Sequence, residues 1–381
     1  MSLTTPRQQI DQIDQQLLAL FTQRMDIVAE ITRIKASQGL PTLDRVREQE
    51  KLQALTEQVR PDIAPYAHVL YDTLFELSRR YQRAGQEQCS ELYGAIQSAI
   101  QHTPNLFPPG ATVACQGVEG AYSEQATRRL FGRPRIQYFK TFDGVFSAIE
   151  NGFCDYGVLP LENSTAGSVN KVYNLMQNRD FYIARSVRLK VDHNLVAPAG
   201  VKQGDIREIF SHEQAISQCG AFLETLGPDV TITRCENTAA AAQAVANSGR
   251  DDVAAICAYS CVELYNLTCL ARDIQDRQNN YTRFICISRK LEIYPGADRT
   301  SMMLTLPHQP GALYKALARF YALGINLNKL ESRPLPDRDF AFMFYFDLET
   351  SVYSEEFGIL LDSMDEICQE FKYLGSYSEV L

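Results

Sequence analysis

One stretch near the start of this chain limits its fold more than any other. Apolar residues recur as Ile10, Ile13, Leu17, Leu20, Ile27, Ile31 and Ile34, the a and d positions of a heptad repeat. Thr5 with Gln8 matches a capping box, and Pro6 falls at the first helical position. Gly39 and Pro41 supply the stop. The spacing predicts one helix of about 32 residues, ~48 Å long at 1.5 Å per residue. Such a helix is too long for a small monomeric bundle, and its seam asks for a partner chain.

The seam is not wholly apolar. Arg24 occupies an a position, and Lys35 lies 11 residues later, within about 20° of the same face at 100° per residue. A cation on a buried seam is costly unless paired. A lone Arg there is ordinarily a snorkelling or ion-paired side chain, whereas two cations on one face ask for an anion. Arg7, 17 residues before Arg24, points about 100° away and suits the pocket of a dimer mate. Downstream, Asp44, Arg47 and Glu48 share one helix face at i, i+3 and i+4, and Ser78 and Gln82 share another at i, i+4.

Length and charge set the frame. The 381 residues predict two to three domains. A net charge of −9 argues against general nucleic-acid binding, which needs a basic footprint, but not against a local cationic pocket. Residues 1–90 hold 11 Lys+Arg against 12 Asp+Glu, a net of −1, so the remainder carries −9 − (−1) = −8. No stretch approaches the ~18 apolar residues of a membrane span, and the N-terminus lacks a signal-peptide pattern. Ten Cys occur without a C-x-x-C pair, and the five His show no metal-ligand spacing. The expectation is a cytoplasmic protein with incidental thiols and no metal or other cofactor.

Three regions follow one another. Residues 1–84 read as helix, and 85–110 as a junction ending in Phe107-Pro108-Pro109-Gly110. From Thr112 to about Lys290, β-rich runs alternate with helical patterns, the mark of α/β folding. After Pro295-Gly296, the last 80 or so residues read strand, helix, strand, strand, helix, with one more strand possible, which suits a ferredoxin-like sandwich.

Four loops of the α/β region fall at strand–helix junctions. They are Gly117-Val118-Glu119-Gly120-Ala121-Tyr122-Ser123, Leu159-Pro160-Leu161-Glu162-Asn163-Ser164-Thr165-Ala166-Gly167-Ser168, Ser211-His212-Glu213-Gln214-Ala215 with Gln218 and Cys219 beyond, and Asn280-Tyr281-Thr282-Arg283-Phe284. Each alone reads equally as a helix cap. The second, with small hydroxyl and amide side chains at a helix N-terminus, makes an anion-binding corner, and four such loops in one unit are hard to read as caps alone.

The helical set Arg7, Arg24, Lys35, Asp44, Arg47, Glu48, Ser78 and Gln82 resembles the all-helical chorismate mutase of bifunctional chorismate mutase–prephenate dehydratase proteins. The four loops resemble, in order and spacing, the motifs of prephenate dehydratase. Gly311-Ala312-Leu313 and Glu331-Ser332-Arg333-Pro334 resemble the amino-acid-binding ACT domain of the same family.

The resemblance implies a dimeric three-helix mutase over 1–85, with one Arg donated across the dimer. It implies a linker over 86–110 and a two-lobed dehydratase of periplasmic-binding-protein type over 111–292. The ferredoxin-like ACT domain would span 298–381 and bind L-phenylalanine through Gly311, Ala312, Leu313, Glu331, Ser332 and Arg333. Chorismate would be rearranged to prephenate by the helical set, without nucleophile or base. Prephenate would lose water and carboxylate at Thr282, with Asn163, Ser211 and Gln218 positioning the dianion. Arg283 is either a carboxylate partner or a salt bridge beneath the cleft.

Val118 and Glu213 stand where the family commonly has Pro, and Glu213 is expected to add an acid near the cleft. The chain is expected to be a homodimer or larger homo-oligomer. Two rival readings remain. One is a dehydratase with an inactive helical dimerisation arm. The other is a ligand-responsive two-lobed binding protein, which has no use for the helical cations.

Overall fold

The computed structural model describes residues 3–39, 45–83, 91–335 and 341–380. The chain divides into two compact units, 1–89 and 90–381.

The first unit holds three helices: α1 (Thr4–Gln38), α2 (Arg45–Glu57) and α3 (Ala64–Arg83). Thr5 does not act as the cap. The first intrahelical bond runs from Arg7 N to Leu3 O, so α1 starts at Thr4 with Leu3 outside it, and Pro6 is its third residue rather than its first, a position whose N–H would have no partner within the helix. The far end behaves as expected: Gly39 adopts φ 65°, a left-handed stop that glycine takes without penalty. The heptad seam stays uncovered. Ile10, Ile13, Leu17, Leu20, Ile27, Ile31 and Ile34 are 39–61% exposed, while Val28 is the buried residue of α1.

The second unit opens with α4 (Glu91–His102), inside the stretch expected as a linker. Leu92, Ile96, Ala99 and Ile100 line one face at helical spacing. Ile96 is fully buried against Ile293, Val352, Phe357 and Leu361. Burial of that face makes the segment a structural helix rather than a tether.

The α/β region then runs β1 (Thr112–Gln116), α5 (Tyr122–Leu130), β2 (Arg135–Phe139), α6 (Phe142–Glu150), β3 (Tyr156–Asn163), β4 (Gly167–Ser168), α7 (Asn170–Asn178) and β5 (Tyr182–Lys190). It continues with β6 (Asn194–Ala197), β7 (Glu208–Ser211), α8 (Glu213–Gln218), α9 (Gly220–Thr225), β8 (Thr231–Arg234), α10 (Thr238–Asn247), β9 (Val253–Cys257), α11 (Ser260–Leu264), β10 (Thr268–Ala271) and β11 (Tyr281–Ser288). The last part holds β12 (Arg299–Thr305), α12 (Ala312–Ala322), β13 (Asn326–Pro334), β14 (Phe342–Glu349), α13 (Glu355–Ile367), β15 (Glu370–Tyr377) and β16 (Glu379–Val380).

Two sheets make two lobes. The first runs β16-β5-β11-β3-β1-β2, with β4 on β3. The second runs β10-β6-β9-β7-β8. The chain leaves the first lobe after β5, builds the second from β6 to β10, and returns as β11, antiparallel between β3 and β5. It therefore crosses between lobes twice, near residues 191–193 and 272–280.

The last part is a βαββαβ unit with sheet order β13-β14-β12-β15; the sixth element left open by the sequence is β15. Met303, Met343, Tyr345, Leu374 and Tyr377 from this sheet share one apolar core with Phe146, Tyr173, Ile285 and Ile287 of the first lobe. Gly375 marks the closest approach: a Cβ there would stand 2.5 Å from Ile183 O. The helices α12 and α13 cover a separate core on the opposite face, around Leu304, Phe320, Phe346 and Leu360. Among the described residues no helix is long and apolar enough to cross a membrane.

Candidate active sites

In the helical unit, Arg24 is the centre. Its Nη1 donates to Leu74 O at 3.2 Å and to Ser78 Oγ, and the guanidinium lies 5.8 Å from the Phe75 ring. Burial pulls its pKa below the ordinary value, with Tyr71 and Glu48 acting against that. Ser78 and Gln82 are buried one turn apart on α3, and Gln82 Oε1 is buried with no partner among the described residues. Glu48 is half-buried on α2 and pairs with Arg79 of α3, a residue the sequence does not single out.

The structure thus brings Arg24, Glu48 and Ser78 together between α1, α2 and α3. Lys35 is half-buried on α1, ~16 Å along the axis from Arg24 at 1.5 Å per residue, a gap two long side chains and a bound anion can span. Arg47 is exposed beside Glu48. Arg7 is exposed in the first turn, ~25 Å from Arg24 along the helix, too far to serve the same pocket within one chain. Asp44 lies outside the described residues.

In the α/β unit, a cleft of about 670 Å³ opens where the chain crosses between lobes. Three of the four motif loops reach its wall through Ala121–Ser123, through Asn163 with 166–169, and through His212, Gln214 and Gln218; Thr282 comes from the fourth. Helices α5, α6, α7 and α10 all begin at this wall, as Tyr122, Thr141, Val169 and Asn237 show. Each N-terminus presents about half a positive charge. Lys140 and Lys171 add full charges, against one acid, Glu236. An acidic chain therefore holds a cleft biased toward anions.

Inside the cleft the amides and hydroxyls form one circuit. Asn163 Nδ2 donates to Thr282 Oγ1 at 2.9 Å and to Asn280 Oδ1 at 2.7 Å. Thr165 Oγ1 donates to Asn163 Oδ1 at 2.7 Å and accepts from Gln218 Nε2 at 2.8 Å. Gln218 Oε1 then accepts from Asn280 Nδ2 at 3.0 Å and from His193 Nε2 at 2.9 Å. This fixes the tautomer: His193 carries its proton on Nε2, and Nδ1 is buried without a partner among the described residues. Burial holds the His193 pKa below its ordinary value, against the Gln218 hydrogen bond. Because Thr282 Oγ1 already accepts from Asn163, its own proton is directed elsewhere, and Thr282 lines the cleft.

Two expected residues sit elsewhere. Ser211 Oγ is fully buried and donates to Ile256 O at 2.9 Å, tying β7 to β9. Arg283, next along β11 from Thr282, points to the opposite side of the strand. There it is 4% exposed and pairs with fully buried Asp347. It also donates to Tyr377 OH at 2.9 Å and to Glu162 Oε1 at 3.4 Å. Of the two expectations for Arg283, the geometry takes the salt bridge beneath the cleft. Glu213 does not line the cleft and pairs with Arg234 at the surface, and Val118 packs against the second lobe's core.

Lys140, Lys171 and His193 reach the cleft without a local signal in the sequence. The two lysines follow β2 and open α7, and His193 sits at a lobe crossing that only the topology defines. In the C-terminal unit, Gly311 starts α12 at φ 83°, and Leu313 packs under the helices. Ser332 is exposed, whereas Glu331 and Arg333 are half-buried on the other side of β13.

A helical unit that holds the half-buried cation Arg24 between its helices and a two-lobed α/β unit with an anion-biased cleft define an enzyme class that handles acidic metabolites at two sites. The family models agree: chorismate mutase type II matches residues 6–83 and prephenate dehydratase matches 113–292. The bifunctional chorismate mutase/prephenate dehydratase of Aquifex aeolicus is 31% identical over 381 residues, covering 98% of this chain and 97% of that one. The chloroplastic arogenate dehydratase/prephenate dehydratase 2 of Arabidopsis thaliana is 38% identical over 277 residues, covering 70% and 72%. The structure of the Arthrobacter aurescens prephenate dehydratase in complex with L-Phe aligns at TM-score 0.65 and 28% identity, covering 70% of this chain and 90% of that one. This chain belongs to the bifunctional chorismate mutase/prephenate dehydratase family.

Proposed function

We propose that the helical unit rearranges chorismate to prephenate and that the cleft converts prephenate to phenylpyruvate, under feedback by L-phenylalanine at the C-terminal unit. The observation that carries the dehydratase reading is the circuit that leaves the Thr282 proton free at the wall of an anion-biased cleft. Prephenate is a dianion, and Lys140, Lys171 and the converging helix N-termini are suited to its two carboxylates. The ring carboxylate leaves as CO₂. Its electron pair moves through the ring and expels the C4 hydroxyl, which takes the Thr282 proton and departs as water. Thr282 regains a proton from solvent. Aromatisation drives the step, so a weak acid suffices. Asn163 fixes Thr282, Gln218 fixes Thr165, and His193 supports Gln218 as a neutral donor.

The mutase step is unimolecular and needs no nucleophile. Its catalysis is holding a compact conformer and countering charge on the breaking ether oxygen. Arg24 and Arg47 suit the carboxylates. Lys35 and Gln82 suit the ether oxygen, Glu48 the ring hydroxyl, and Asp44 and Ser78 orient these groups. Arg7 completes the pocket of a second copy. The exposed α1 seam and the thin core of the unit support a homodimer through that seam. The βαββαβ topology, ferredoxin-like, and the Gly311-Ala312-Leu313 and Glu331-Ser332-Arg333 motifs support an ACT-type sensor. A cytoplasmic setting suits such an enzyme.

One experiment tests the whole reading. Purified protein is given chorismate, and chorismate, prephenate and phenylpyruvate are followed together with and without L-phenylalanine. Sequential appearance of prephenate and phenylpyruvate, with the second slowed by phenylalanine, is expected. Phenylpyruvate formed only from added prephenate would leave the helical unit as an inactive arm. No turnover of either substrate would leave a binding protein.

A further inference from the structure

Strand β13 is an edge strand of the C-terminal sheet, and its register carries a bulge. Leu327 pairs with Leu348, but Lys329 pairs with Asp347, so the extra residue turns the strand over between them. Leu327 faces the α12–α13 side with Leu348. Beyond the bulge Lys329, Glu331 and Arg333 alternate on the opposite face, toward the first lobe. All three meet the segment that carries Asn163. Lys329 Nζ donates to Glu162 Oε2 at 2.6 Å and to Ser168 Oγ at 2.9 Å. Ser168 Oγ donates to Glu331 Oε2 at 2.8 Å, Arg333 donates to Asn170 Oδ1, and Arg333 pairs with Glu331 at 3.2 Å. Lys329 and Arg333 lie 5.6 and 5.5 Å from the buried Tyr173 ring of α7.

The held segment supplies much of the cleft. Asn163 and Thr165 belong to the circuit, and 166–169 line the wall. The segment is gripped from β13 at three points, Glu162 on β3, Ser168 on β4 and Asn170 on α7. Asn163 is set opposite Thr282 by the β3–β11 ladder, and the grip from β13 acts on the residues that flank this pairing.

We propose that Lys329, Glu331 and Arg333 are positioning residues of the dehydratase site, holding the 162–170 segment from outside so that Asn163 stays aimed at Thr282. The dehydratase is then incomplete without the bulged strand of the C-terminal unit. Glu331 and Arg333 also belong to the motif read above as effector-binding, and to that extent the inference deepens that reading. An effector that drew either side chain to itself would loosen the segment, linking occupancy to rate through a differential contact.

The test uses the full chain with no effector present. Lys329→Met and Glu331→Ala are expected to lower dehydratase kcat about tenfold, equivalent to ~1.4 kcal/mol, with KM within about twofold and mutase kcat unchanged. Lys329→Arg is expected to restore most of the loss. A residue that served only effector binding would leave effector-free kcat untouched, so wild-type kcat in both variants overturns the proposal. If Lys329→Met yields no folded protein, Glu331→Ala carries the same test. Phenylalanine binding by the unmodified chain is measured separately. Its absence would remove the effector reading while leaving the kcat result to stand.

Discussion

Replacing Thr282 by Val separates chemistry from structure. The change keeps the branched shape and removes one hydroxyl. In the folded chain Asn163 Nδ2 faces three acceptors: Asn280 Oδ1 at 2.7 Å, Thr282 Oγ1 at 2.9 Å and Tyr281 O at 3.2 Å. Two survive the substitution, so no donor is orphaned, and the structural cost is about 1 kcal/mol or less. In a unit of this size that lowers Tm by ~2 °C. The chemical cost is far larger. A positioned proton donor contributes roughly 10²–10⁴-fold, so dehydratase kcat is expected to fall by that factor. Mutase kcat, housed in the other unit, is expected to stay at wild type. Steady-state rates on prephenate and on chorismate, with calorimetric Tm on the same preparation, give all three quantities. A Thr282→Val protein retaining more than about a tenth of the dehydratase rate would refute the proton assignment. A matching loss of mutase activity would refute the independence of the two sites.

Four further outcomes follow from other contacts. Arg24→Ala removes the cation held between α1 and α3, and mutase kcat is expected to fall at least ~10²-fold with helicity by circular dichroism retained. Leu17→Glu with Leu20→Glu places charges on the exposed seam of α1. Sedimentation equilibrium is expected to show a monomer, and mutase activity to vanish with the donated Arg7. Asp347→Ala leaves the Arg283 guanidinium buried with only Tyr377 and a 3.4 Å contact to Glu162; a loss of ~3 kcal/mol is expected. The double change Arg283→Met, Asp347→Leu is expected to recover most of it in a denaturant melt. His193 has a folded-state pKa below its ordinary value because it is buried. The unfolded chain therefore binds its proton first as pH falls, so stability is full above about pH 6.5, declines below it, and levels off once His193 itself protonates. His193→Gln is expected to flatten that slope in Tm-versus-pH measurements.

What could be read in advance depended on whether the cause was local. The heptad of α1, the alternation in the α/β region and the strand positions of the C-terminal unit come from side-chain period, and the elements form where those periods occur. The motif loops were legible because strand ends and helix starts are written in short runs of Gly, Ser, Asn and Thr. Asn163, Thr165, Gln218 and Thr282 accordingly meet in one circuit. Three features had no local signature. The α4 helix carries an apolar face whose cover, Ile293 and Phe357 among others, lies some 200 residues away. His193 matters because the chain crosses between lobes beside it, and a crossing is a property of strand order. Arg79 pairs with Glu48 across α2 and α3, a pairing set by how the helices pack.

Arg283 shows the same limit from the other side. Its neighbour Thr282 faces the cleft, and period two on a strand sends adjacent side chains to opposite faces. The sequence therefore left open whether the guanidinium bound substrate or lay beneath. The partners decide it. Asp347 is fully buried on β14 and Tyr377 fully buried on β15, both from the C-terminal sheet. Burial raises the Glu162 pKa, but Lys329 and Arg283 outweigh it and hold the carboxyl below its ordinary range. Arg283 and Glu162 flank Thr282 and Asn163 in the chain, and β11 pairs with β3 so that Thr282 stands opposite Asn163 and Arg283 opposite Glu162. One face of this strand pair is thus the reactive wall, and the other is an ionic seam to the C-terminal sheet. A displacement of that sheet reaches the reactive wall through chain neighbours on the same two strands, Arg283 beside Thr282 and Glu162 beside Asn163.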